Sequence, residues 1–173
     1  MKIKVKHLPY DQVLALEKPA HRRPKRPNFL FRSIIRVGSI PDLLLTKFSC
    51  TRRRMELAGE GPWLILMNHS SFIDLKIASK IFYPKPFCIV CTSDGFVGKR
   101  WLMHQIGCIP TQKFVSDITS IRDILHAVKT EKTSVLMYPE AGYSFDGCAT
   151  TLPRKLGVLM KRLGVPVVTV ITQ

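Results

Sequence analysis

Residues 63–74 read W-L-I-L-M-N-H-S-S-F-I-D, an apolar run that stops abruptly at a polar cluster. Five consecutive apolar residues, 63–67, leave no polar face, so a strand here must be covered on both sides, as in a sheet between layers of helices. Ser71 followed three residues later by Asp74 has the spacing of a capping box, which predicts that a helix opens there. A buried strand turning directly into a helix obliges the rest of the chain to supply partner strands and covering helices.

The remaining sequence can meet that demand. The helix opened near Ser71 continues through Leu75, Ile77, Ala78 and Ile81, with Pro84 beyond it. Residues 87–92 (F-C-I-V-C-T) read as a second strand. Residues 95–106 predict a helix with Trp101, Leu102 and Ile106 inward, stopped by Gly107. Residues 117–132 predict the clearest helix, capped by Thr119 or Ser120 and striped by Ile121, Ile124, Leu125 and Val128, with His126 on its surface. Residues 135–138 form a third strand. Thr151 then caps a helix carrying Leu156, Leu159 and Leu163 and ended by Gly164, and residues 165–170 form a fourth strand. Strands alternating with helices predict an α/β layered fold with a largely parallel or mixed sheet covered by helices.

Residues 1–60 hold 14 Lys and Arg against 5 Asp and Glu, so the basic excess of the chain, formally +15, is concentrated toward its start. Residues 1–27 read as a basic arm, broken by the prolines of H-R-R-P-K-R-P. Residues 28–57 place Phe29, Leu30, Ile34, Ile35 and Val37 at helical spacing between Arg32 and Arg36, and Pro41 starts a second apolar segment. Two short apolar helices edged with arginine fit an amphipathic membrane-contact element, although the same period fits a helical hairpin packed on the core. Residues 58–173 make the α/β domain. The first residues lack the apolar core of a signal peptide, and no stretch is long enough to span a bilayer, so any membrane contact is expected to be peripheral.

Five cysteines, an odd number without regular spacing, argue against a disulfide framework and point to a reducing cytoplasm. Cys88 and Cys91 make a C-x-x-C, but residues three apart on a strand point to opposite faces, and no second pair of ligand spacing exists. No metal site is expected.

His69 falls at the carboxyl end of the first strand, where open α/β sheets place their ligands. An imidazole there, with a carboxylate five residues on, can take a proton from a hydroxyl while the carboxylate holds its tautomer. A loop histidine beside a helix-capping aspartate explains the spacing equally well.

The whole string decides between them. N-H-S-S-F-I-D resembles the N-H-x-S-x-x-D signature of the glycerolipid acyltransferases, the superfamily of the lysophosphatidic acid acyltransferases. Three later stretches resemble the family's further blocks in order. They are G-C-I-P-T-Q-K at residues 107–113, Y-P-E-A-G-Y-S at 138–144, and the proline-entered apolar strand at 165–170. The second block has Lys113 where the family has arginine, and the third has Ala141, Gly142 and Tyr143 in place of Gly-Thr-Arg. Family members usually continue beyond the fourth block, so the domain is expected to be short at its C-terminus.

The resemblance implies acyl transfer from acyl-CoA or acyl-carrier protein to a hydroxyl of a lysophospholipid or related glycerolipid. It makes His69 the general base and Asp74 its orienting partner, with no other cofactor. Backbone N–H groups near the helix start are the expected oxyanion donors. It also implies that Asn68, Ser71, Lys113, Glu140 and Gly142 meet substrate. Loss of both arginines puts the usual phosphorylated acceptor in question, since lysine lacks the bidentate fork that suits phosphate. The expected partners are membrane lipids at an anionic surface, on the cytoplasmic face; nucleic acid is not expected, since nothing resembles a stacking platform or recognition helix. Two other readings stay open: a non-catalytic basic module, and a thioester or ester hydrolase using the same dyad.

Overall fold

The computed structural model describes residues 21–69, 71, 73–92, 99–111, 117–140, 152–153 and 155–172. Lys113, Gly142, Tyr143, the Thr151 cap and most of the basic arm lie outside them. A five-stranded sheet forms the middle layer. Its strands are β1 (Leu64–Met67), β2 (Phe87–Thr92), β3 (Cys108–Thr111), β4 (Ser134–Met137) and β5 (Val167–Val170). The order across the sheet is β3-β2-β4-β1-β5, and every pairing is parallel.

β1 is flanked by β4 and β5, with Leu64 opposite both Val135 and Val167. Its side chains alternate between two cores, as a strand requires. Trp63, Ile65 and Met67 pack with Ala78 and Phe82 on one face of the sheet, while Leu64 packs with Ile124, Ala127, Val128 and Leu163 on the other. The apolar run therefore has a buried destination for each residue, and Leu64 and Ile65 are wholly covered.

Seven helical segments among the described residues complete the layers. On the Ile65 face lie α1 (Phe29–Gly38), a 3-10 turn at Met55–Ala58 and α3 (Asp74–Phe82); α5 (Ile118–Lys129) and α6 (Leu156–Leu163) cover the other face. α2 (Ile40–Leu45) follows α1 through the buried Ser39, and α4 (Arg100–Gln105) precedes β3. Asn28 caps α1 by accepting the Leu30 N–H at 2.8 Å. α1 lies against α3, with Arg32 Nη1 donating to the Pro84 carbonyl at 2.6 Å. An ion pair between Lys76 and Asp42 joins α3 to α2.

Four details correct the sequence reading. Residues 108–111 form a fifth strand that the sequence did not announce. It is short and contains Pro110, and it lies at the sheet edge, where a missing backbone donor is tolerated. In α4, Trp101 points outward at 65% exposure and Leu102 is also exposed, contrary to the inward stripe expected. α5 is capped by Asp117, which accepts the Thr119 N–H at 2.9 Å, rather than by Thr119 or Ser120. The Ser71–Asp74 capping box forms only in half. Asp74 Oδ2 accepts the Ser71 N–H at 2.9 Å, but the Asp74 N–H goes to the Ser71 carbonyl, and Ser71 Oγ instead accepts from Ile73.

Candidate active site at the carboxyl ends of β1 and β4

The described helix that follows β1, α3, covers one face of the sheet, and the described helix that follows β4, α6, covers the other. Neighbouring strands whose connections part in this way open a crevice at their carboxyl ends. Register brings the two ends level, since Leu66 lies opposite Met137. Residues just beyond, His69 on one side and Tyr138 on the other, therefore meet.

His69 Nδ1 lies 2.8 Å from Asp74 Oδ2. Asp74 is fully buried at the first position of α3, while the histidine side chain keeps 20% exposure. The local sequence explains the fit. Two residues of strand end and a tight turn return the chain beside itself, and the Ser71 N–H bond to the same Asp74 oxygen fixes the carboxylate. The imidazole also stacks on the Tyr138 ring, with centroids 4.0 Å apart and planes at 21°. Its two large contacts, a carboxylate at one edge and an aromatic face beneath, fix both the tilt and the rotation of the ring.

With Nδ1 donating to the carboxylate, Nε2 carries the lone pair and is the basic nitrogen. The arrangement can take a proton from a hydroxyl and offset the charge the ring acquires. Of the described N–H groups at the helix start, those of Ser71, Ile73 and Asp74 are engaged within the turn.

The other expected site residues divide. Asn68 is occupied structurally: its Nδ2 donates to the Thr172 carbonyl at 2.9 Å and its Oδ1 accepts the Thr172 N–H at 2.8 Å, tying the end of β5 to the end of β1. Ser71 is exposed beside Asp74. Glu140 follows Tyr138 and the buried Pro139, and its Oε2 is enclosed with no hydrogen-bond partner among the described residues. An enclosed carboxylate oxygen without a donor fits a group that meets substrate. Lys113 and Gly142 lie outside the described residues. Tyr138 was missed because its role depends on strand register, for which the sequence held no local sign.

A groove of about 1420 Å³ extends from Ser71 and Asp74 along Ile77 and Ile81 of α3. Residues 46–53, Val168 and Val170 also line it, and Arg52, Arg53 and Lys85 add positive charge. Cys88 and Cys91 lie as the strand period requires, Cys88 fully buried among the α5-side residues and Cys91 partly exposed. Burial pushes the Cys88 thiol up to about 12, and a hydrogen bond shared with Cys91, then burial, raises that of Cys108. Thiols held protonated are poor nucleophiles and ligands. Among the described residues, no three His, Cys, Asp or Glu side chains gather as a metal site would need.

A family model described as Acyltransferase matches residues 48–173. No curated protein matches the chain significantly. Among solved structures, the crystal structure of the 1-acyl-sn-glycerophosphate (LPA) acyltransferase PlsC from Thermotoga maritima is similar, with a TM-score of 0.61 and 14% sequence identity. The match covers 79% of this chain and 55% of that one, so the chain spans about half the length of the solved enzyme. At this identity the likeness is one of fold.

Proposed function

The chain belongs to the acyltransferase family, that of the glycerolipid acyltransferases, and from that premise we propose that it moves a fatty acyl group from acyl-CoA or acyl-carrier protein to a hydroxyl of a lysophospholipid or related glycerolipid. The observation that carries the reading is the His69–Asp74 pair, held at 2.8 Å at the mouth of the β1–β4 crevice. Nε2 of His69 takes the proton of the acceptor hydroxyl as its oxygen attacks the thioester carbonyl. The C–S bond then breaks, and the departing thiolate takes the proton. No enzyme nucleophile is needed, because the acceptor attacks directly. Asp74 keeps the ring in the tautomer that leaves Nε2 basic.

Glu140 supports the acceptor side of this reading, since its enclosed Oε2 can take a hydrogen bond from an acceptor hydroxyl. Lys113, and Gly142 in the third block, stand where the family's acceptor-binding residues stand, with Lys113 offering a point charge rather than a fork. The groove beside Asp74 offers the acyl chain an apolar wall in Ile77, Ile81, Val168 and Val170.

The acceptor resides in a membrane, and none of the described helices is long and apolar enough to cross one. α1 and α2 are the proposed contact. Phe29, Leu30, Ile34, Val37, Leu44 and Leu45 are all exposed on them, beside the basic residues of a strongly positive chain. Peripheral binding to the anionic cytoplasmic face follows from that pairing of charge and apolar surface. The test is direct. The full chain is incubated with acyl-CoA and a panel of lysophospholipids, and acylated products are identified by mass spectrometry, with His69→Ala as reference. Equal product from the variant and the wild type would end the assignment.

A further inference from the structure

The outward ridge of α1 does not stand alone. At about 100° per residue, Leu30, Ile34 and Val37 share one side of the helix, and all three are more than half exposed. Arg32 and Ile35 lie on the side turned to the domain, where they line a small pocket with Leu75 and Phe87. Phe29 and Phe31 occupy the two flanks between these sides, and each meets an aromatic ring from the α/β domain. The Phe29 ring lies 6.5 Å from that of Tyr83, at the end of α3, and Phe31 lies 5.6 Å from Trp101, edge to face. Both domain residues stay in reach of solvent, Tyr83 at 37% and Trp101 at 65%. Leu102 beside Trp101 is exposed as well, and Lys99 and Arg100 precede it on the surface.

An exposed tryptophan is costly for a soluble surface, whereas its ring suits the boundary between lipid tails and headgroups, where one part is apolar and the N–H stays wet. We propose that Trp101, with Tyr83 on the opposite flank, extends the α1 ridge into a broad membrane-docking face, so that the α/β domain itself rests on an anionic bilayer. This rests on the membrane reading of α1 and assigns a second, independent contact on α4. Charge selects the occupant. A second copy of a chain with net +15 would bring its own basic residues against Lys99 and Arg100, whereas anionic lipid would neutralise them. Docking through both flanks of α1 also fixes the rotation of the domain about the helix, which a single amphipathic helix leaves free.

The chain has two tryptophans, and Trp63 is buried, so Trp101 is a built-in reporter. The full chain is mixed with phosphatidylglycerol/phosphatidylcholine vesicles whose acyl chains carry bromine, and its emission is compared with that of Trp101→Phe. Co-sedimentation with the same vesicles is measured in parallel. The expected result is strong quenching of the wild type that the variant lacks, and vesicle affinity lowered roughly three- to tenfold in Trp101→Ala at high salt, where apolar contacts dominate. If the chain co-sediments but its quenching equals that of Trp101→Phe, the α4 contact is wrong while the α1 reading stands. If it does not co-sediment at all, both fail. If Trp101 emission shifts with protein concentration in the absence of vesicles, the face belongs to a second copy and the proposal is overturned.

Discussion

His69 Nδ1 and the Ser71 N–H converge on one oxygen, Asp74 Oδ2, at 2.8 and 2.9 Å. One carboxylate oxygen thus orients the imidazole and holds the turn that carries it. Substitutions at the two ends of this bond should therefore separate chemistry from folding.

His69→Ala should lower acyl transfer by roughly 10² to 10⁴ with little change in melting temperature, since the side chain is partly exposed and supports little core. Asp74→Asn keeps an acceptor for Ser71 but removes the anionic partner, so activity should fall while the turn survives. Asp74→Ala leaves the part-buried Ser71 N–H bond unmade and should cost about 1 kcal/mol as well, as for a lost cap. Turnover and thermal melts on the same three proteins check this, and a stable, active Asp74→Ala would contradict it.

The Tyr138 ring stacks on the imidazole with centroids 4.0 Å apart, and that face is expected to position it. Tyr138→Phe should keep most of the rate, whereas Tyr138→Ala should lower kcat more than it raises KM. Equal losses in the two variants would mean that the phenol, not the stack, matters.

Lys113 and Tyr143 replace two arginines of the family pattern. Lysophosphatidic acid should accordingly be a poor acceptor, and Lys113→Arg with Tyr143→Arg should improve its use relative to an uncharged acceptor. Efficient acylation of lysophosphatidic acid by the wild type would show that these departures do not govern acceptor choice.

Exposed Ile34 and Leu44 lie on the proposed lipid face. Ile34→Asp with Leu44→Asp should weaken binding to anionic vesicles without lowering the melting temperature. Binding of the wild type should weaken as salt rises, each basic residue contributing about 1 kcal/mol at low salt, yet persist through its apolar part. Unchanged sedimentation of the variant would move the contact elsewhere.

His104 titrates below its ordinary range, first because it is partly buried and then because Arg22, Arg100 and Lys25 are near; Asp123 opposes them. A histidine whose folded pKa is depressed contributes stability that is whole above its ordinary value, near 6.5, and is lost as pH falls toward the folded value. The melting temperature should thus drop between pH 7 and pH 5, and His104→Gln should flatten that decline. A parallel decline in both proteins would place the sensitivity in another group.

The features legible in the sequence were those set by near neighbours. The strand at 63–67, its turn and the His69–Asp74 pair lie within a dozen residues, so composition and spacing carry them. Tyr138 was invisible because its contact requires the alignment of Leu66 with Met137, which nothing local specifies. β3 escaped because four residues with a proline give too short a pattern for any period to show. Trp101 was placed inward because helical spacing reveals that a stripe exists but not whether protein or another medium covers it.

β1 carries a consequence for synthesis. Both of its hydrogen-bonding edges are filled by strands that come much later in the chain, since Leu64 pairs with Val135 and Val167. As the polypeptide leaves the ribosome, this apolar segment and the His69 beside it emerge well before either neighbour exists. Until then the strand has no partner on either side, and its wholly buried Leu64 and Ile65 are open to solvent or to a chaperone. Such distant pairings must close long loops before they are rewarded, which makes folding slow. The surroundings of β1 are thus complete only once β5 is made, and a nascent chain that halts before Val167 leaves one edge of β1 unpaired.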